Sequence, residues 1–206
     1  MRQHAIRFVV ALPSEAKPIN RHFSLVRDNR AEAFSLYRNG SMALVISGVG
    51  SGLAAQATGW LRSYLPDPAI WFNVGIAGHP HRAIGEALLA HLIVDQQSGR
   101  QWQRSYRELP CPSGTLITCI EPERDYPDDA LYDMEGASFC AALDAAGTDH
   151  SAHCLKIVSD NLQSPVDNIN REMINGLMER NLPLLERLCH ALGHPYAMER
   201  SDSDSI

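Results

Sequence analysis

MALVISGVGSGLAAQATGWLRSYLPDPAIWFNVGIAG, from Met42 to Gly78, is the stretch on which the fold is read. Met42 to Ser47 form an apolar run of strand length. Ser47-Gly48-Val49-Gly50-Ser51-Gly52 leads into a helical pattern over Leu53 to Tyr64. Pro66 and Pro68 break the chain, and a second apolar strand over Ala69 to Val74 runs into a glycine turn, Gly75-Ile76-Ala77-Gly78. Strand, glycine turn, helix, strand is the βαβ signature of a sheet covered by helices on both faces.

Upstream, Ile6 to Leu12 is nearly continuous in apolar residues, as a strand buried on both faces requires. Pro13-Ser14 ends it, and Ser14 is expected to cap a helix opening at Glu15 that Pro18 keeps short. Glu32 to Arg38, Asn39-Gly40 and Met42 to Ser47 read as a hairpin with an Asn-Gly turn. Downstream, strands are expected at Ala87 to Val94, Gly114 to Ile120 and Cys154 to Val158, and helices at Met134 to Ala146 and Asn168 to Leu192. The chain from about Asp95 to Pro112 is polar and irregular. In Glu121 to Asp129, prolines and carboxylates predict a solvated loop without burial. Residues 1–193 are expected to form one α/β domain, with 194–206 as a tail outside the core.

Apolar residues make up 45% of the chain and charged residues 20%, which places it with folded globular domains rather than disordered chains. A net charge of -6 argues against a nucleic-acid surface. The first apolar run is too short to span a membrane and lacks a secretory cleavage pattern. The five cysteines lie at irregular spacing without a CxxC pair, and are read as reduced core residues of a cytoplasmic protein. The nine histidines show no metal-binding arrangement, so neither a metal nor another cofactor is expected.

Ligands of open α/β sheets bind beyond the carboxyl ends of the strands. Glu15, the glycines around Gly50 and Gly75, and Ser159-Asp160 all fall there, while Glu135 stands at a helix start. Taken singly, each carboxylate reads equally well as a helix cap. SGVGSG is out of register with GxGxxG and no phosphate-loop lysine follows it. What the glycines offer is close backbone approach and free amides.

Six short motifs occur in an order that resembles the purine nucleoside phosphorylase and nucleosidase superfamily. They are VVALPSEAKPI (Val9 to Ile19), SGVGSGLAA (Ser47 to Ala55), NVGIAG (Asn73 to Gly78), IGE (Ile84 to Glu86), YDMEGAS (Tyr132 to Ser138) and KIVSD (Lys156 to Asp160). The resemblance is nearest to hydrolases of the methylthioadenosine/S-adenosylhomocysteine nucleosidase type. It implies a three-layer α/β/α sandwich with a central mixed sheet and a cofactor-free enzyme acting on a nucleoside with water or phosphate. By the same resemblance, Glu15 would activate water beside the ribose, Glu135 would bind the sugar hydroxyls with Met134 lining the ribose, and Asp160 would serve the purine N7. Lys156 stands where these hydrolases carry an arginine near the water. Gly75, Ile76, Ala77 and Gly78 would lie beside ribose and base, and Gly50, Asp133 and Ser159 complete the expected binding set. A homo-oligomer, with a dimer favoured, is also implied.

Two departures bear on the reaction. Ile76 replaces a serine common in related nucleosidases, and Asn73-Val74 stand where a hexameric phosphorylase would place an arginine before the turn. The first removes a hydroxyl that could touch water or phosphate and so counts against both reactions. The second favours hydrolysis that releases free base from a purine nucleoside or a 5′-modified adenosine. Phosphorolysis, and a catalytically weak purine-nucleoside-binding protein, stay open as alternatives.

Overall fold

A computed structural model describes residues 5–106, 108, 110–145, 147 and 151–193. The expected tail, 194–206, lies outside them, as does residue 146 at the end of one expected helix. Strand β1 (Ala5–Val10) runs parallel to both β4 (Met42–Ile46) and β5 (Ala69–Gly78), with Phe8 opposite Leu44 and Phe72. β3 (Ser35–Asn39) returns antiparallel to β4, and the short β2 (Val26–Arg27) closes that edge. Asn39 pairs directly with Met42, so the two hairpin residues are Gly40 and Ser41, one position later than expected. Gly40 takes the positive φ of 55° that the reversal needs.

On its other side β5 runs parallel to β10 (Ala152–Asp160). β10 pairs antiparallel with β6 (Ala87–Asp95), β6 parallel with β8 (Ser113–Thr118), and β8 parallel with β9 (Leu131–Asp133). Through the single pair Tyr132–Gly78, β9 meets β5 again. Five strands therefore close into a ring, and an open four-stranded wing, β1-β4-β3-β2, leaves it from β5. β7 (Gln101–Gln103) hangs on β6 within the stretch expected to be irregular.

Helices α1 (Pro13–His22) and α4 (Arg171–Gly193) pack together against one face, and α2 (Ser51–Tyr64) and α3 (Gly136–Asp144) against the other. This is the expected three-layer α/β/α sandwich with a mixed sheet. Alternation along the strands feeds both layers. Phe8, Val10, Leu44 and Phe72 join Ile19, Leu177 and Leu185 on the α1–α4 side. Val9, Val45 and Trp71 join Ala57, Leu61 and Phe139 on the other. Among the described residues no helix is long and apolar enough to cross a membrane.

Three local expectations are corrected. Helix α1 begins at Pro13, with Leu12 rather than Ser14 at the cap; proline at the first position loses no bond, because that amide has no helical partner. Gly75 to Gly78 continue β5 without positive φ and form no turn. Gly75 and Gly78 lack a Cβ because the side chains of Glu15, Tyr126 and Asp160 occupy the space it would need. Within the loop from Glu121 to Asp129, Tyr126 is buried, contrary to expectation. The five cysteines are unpaired, with Cys111 half-buried and the other four buried.

Candidate active site

A cleft of about 150 Å³ opens at the carboxyl ends of β1, β5, β9 and β10. Ile76, Ala77 and Gly78 form one wall, Asp133, Met134 and Glu135 another, and Asp160 stands between them. Leu12 and Val49 come from the loops after β1 and β4, and Pro122, Val166 and Ile169 also belong to the lining.

Glu15 lies behind Ile76 with 2% of its surface exposed. The amides of Ala11 and Leu12 donate to its Oε2 at 3.0 and 2.8 Å, and the amide of Ile76 donates to Oε1 at 3.1 Å. Three charge-assisted bonds fix the carboxylate and tie α1 to β5. They leave one lone pair on Oε1. A Cβ on Gly75 would stand 2.7 Å from that atom, so glycine there leaves room for the carboxylate. Burial pushes the Glu15 carboxyl up from the usual range; the Leu12 amide and the Lys156 ammonium pull it back.

Glu135 ends the segment after β9 and accepts a 2.7 Å bond from the amide of Gly50 at the start of α2. Ser51 donates from the same helix terminus to the Met134 carbonyl at 3.0 Å. The glycine-rich loop thus holds the Met134-Glu135 pair across the sheet. Gly50 has φ of 101°, which only glycine adopts without strain, and this aims its amide at Glu135. Burial, followed by repulsion from Asp133, pushes the Glu135 carboxyl up to about 7, against the pull of Lys156 and the Gly50 amide.

Lys156 does not line the cleft. Its ammonium meets Asp133 Oδ2 at 2.7 Å, with side-chain exposures of 1% and 0%. Asp133 also accepts from Thr118 Oγ1 at 2.6 Å and from the Gly136 amide at 2.9 Å. Desolvation alone would lower the Lys156 ammonium, but Asp133 and Glu135 outweigh it and hold lysine charged. Lys156 therefore acts from below, partly neutralising two carboxylates that would otherwise repel across the floor.

Asp160 is set by a bulge. β10 pairs Val158 with Ala77 and Asp160 with Gly78, so Ser159 is the extra residue that re-aims the strand end. The Ser159 hydroxyl donates to Asp160 Oδ1, and the Tyr126 hydroxyl donates to Oδ2. A Cβ at Gly78 would approach Asp160 Oδ2 to 2.7 Å and the Tyr126 ring to 2.6 Å.

No protein-family model and no curated protein matches the sequence. Solved structures match across almost the whole chain. The 5′-methylthioadenosine nucleosidase of Arabidopsis thaliana superposes with a TM-score of 0.79 at 19% identity, over 93% of this chain and 97% of that one. The chain has the nucleosidase fold. Other structures with this fold include futalosine hydrolase of Helicobacter pylori strain 26695, at TM-score 0.74 and 14% identity over 91% of this chain and 98% of that one. The methylthioadenosine/S-adenosylhomocysteine nucleosidase of Colwellia psychrerythraea 34H, in complex with adenine, gives 0.73 and 16% over 93% and 96%.

Within this fold Ile76, Ala77, Gly78, Asp133, Met134, Glu135 and Asp160 line the cleft. Glu15, Gly50, Gly75, Lys156 and Ser159 stand one layer behind, each bonded to or packed against the lining. Sequence reasoning missed Thr118, Ser51 and Tyr126. A threonine and a serine give no local signal, and the polar neighbours of Tyr126 point to solvent. His79 is buried and its Nδ1 accepts from the amides of His81 and Arg82, a turn-shaping role. Among the described residues no group of three or more His, Cys, Asp or Glu is placed to hold a metal.

Proposed function

We propose that the protein is a nucleosidase that hydrolyses the N-glycosidic bond of a purine nucleoside or 5′-modified adenosine and releases the free base. The observation that carries this reading is the placement of two buried carboxylates, Glu135 and Asp160, on the lining of one small cleft, with a third, Glu15, bonded to the Ile76 amide directly behind it. Cleavage puts positive charge on the ribose and sends the bonding electrons into the base. Asp160 gives a proton to N7 as the C1′–N9 bond breaks. Water adds to C1′ and passes its proton to the open lone pair of Glu15 Oε1. Glu135, when ionised, accepts both ribose hydroxyls and holds the sugar over the attacking water. General acid–base catalysis contributes roughly 10²–10⁴-fold per group, and positioning adds to it.

Hydrolysis is favoured over phosphorolysis by the charge of the cleft. Its ionisable lining residues other than Tyr132 are Glu123, Asp133, Glu135 and Asp160, all acidic, so the lining offers a phosphate dianion no cation to pair with. Ile76 adds an apolar wall that offers phosphate no hydrogen bond. The enzyme is proposed to work without a cofactor, as a cytoplasmic homodimer built from residues 1–193.

A panel of purine nucleosides and 5′-thio-substituted adenosines, incubated in phosphate-free buffer and resolved by chromatography, tests the reading. Free base together with free sugar is expected. Tight nucleoside binding without base release, or release only when phosphate is added, would overturn it.

A further inference from the structure

Tyr126 is the least expected member of the site. It interrupts a run of charged residues and prolines, yet only 6% of its surface is exposed. Its backbone has φ of +45°, and Ser24 is the only other non-glycine with positive φ among the described residues. The ring packs edge-on against Tyr132 with centroids 5.7 Å apart, above the pair that joins β9 to β5. Gly78 leaves room for it, since a Cβ there would lie 2.6 Å from Tyr126 Cε1 and 2.9 Å from its hydroxyl. An unusual backbone, an aromatic shelf and a missing side chain all bring one hydroxyl onto Asp160 Oδ2.

We propose that Tyr126 is a positioning residue for departure of the base: its hydroxyl orients Asp160 and stabilises the carboxylate formed when Asp160 gives up its proton. This rests on the nucleosidase reading of the cleft. As the C1′–N9 bond breaks, its electron pair passes to the purine and the Asp160 proton moves to N7. Negative charge then appears on Asp160, and the Tyr126 and Ser159 O–H bonds strengthen on it without transferring their own protons. Hydrogen bonds to an ionised acceptor are about twice as strong as neutral ones, so the gain grows along the reaction. Burial, with the bond to Asp160, pushes the Tyr126 phenol above its ordinary value, so it remains a donor throughout.

Tyr126→Phe removes one oxygen and keeps the ring. With a neutral purine nucleoside, kcat is expected to fall about 10- to 100-fold, the size of a hydrogen bond to a charged group, with KM within about twofold. With an N7-methylated purine nucleoside, the base leaves without needing a proton, and the variant is expected to match wild type. That second substrate also reports whether the variant folds. Equal losses on both substrates would make Tyr126 merely structural, and no loss on either would leave it without a role; both outcomes overturn the proposal while wild-type turnover upholds the nucleosidase reading. If wild type cleaves neither substrate, that reading fails and the proposal falls with it.

Discussion

Glu15, proposed to take the proton of the attacking water, also ties two elements together. Its two oxygens accept three backbone amides from the β1–α1 junction and from β5. Glu15→Gln presents an NH2 group to at least one of these donors, so stability is expected to fall by about 1–3 kcal/mol in urea titrations, alongside a loss of kcat of at least about 100-fold. Lys156 and Asp133 form a fully buried pair. Lys156→Met strands two carboxylates without a cation and should cost about 3–5 kcal/mol, whereas replacing both members with apolar residues should cost less. Glu135 sets a pH dependence. Its carboxyl protonates at about 7 in the fold against an ordinary 4.5, so the folded state holds the proton more tightly than the unfolded chain. The stability this confers is complete below pH 4.5 and is lost as pH rises through about 7. Thermal melts of wild type and Glu135→Gln should therefore diverge over that interval, in the variant's favour as pH rises. Calorimetry should show nucleoside affinity rising through the same pH, because ribose hydroxyls need the ionised form, while affinity for free base stays flat.

At the scale of elements, each strand end owes its geometry to a partner elsewhere. β5 can carry Glu15 and Asp160 on its flanks because Gly75 and Gly78 leave space for their carboxylates. Gly78→Ala would push a methyl group into Tyr126 and Asp160. We expect at least a tenfold fall in kcat and a stability loss of about 1–3 kcal/mol, checked by kinetics and thermal melts. Elements with a strong local signal were legible: β1 and β4 as continuous apolar runs of strand length, and α2 as a helical stretch between a glycine-rich loop and two prolines. β7 and β9 span three residues each, too few for any period to appear. Loop 121–129 carries the opposite lesson. Its composition predicts solvent, and most of it obeys, but Tyr126 is drawn inward by Tyr132 and Asp160, residues that no local rule could place beside it.

For the whole molecule, β5 belongs to the ring of five strands and also carries the four-stranded wing through β1. A break in that strand would cut both halves, so unfolding of the chain is expected as one cooperative transition, with near- and far-ultraviolet signals coincident. Light scattering should give twice the 22.8 kDa chain mass if the proposed dimer holds. By itself, the sequence determined the α/β class, the two-sided burial of the central strands, and the presence of acidic residues where strands end. Those follow from local periodicity and from the chemistry of turns. Only the tertiary structure decided that β9 returns to β5, that Glu15 lies behind Ile76, that Lys156 pairs with Asp133, and that Tyr126 reaches Asp160. Each of these joins residues tens of positions apart, and such contacts are set by packing and desolvation across the sheet, which no window of sequence contains.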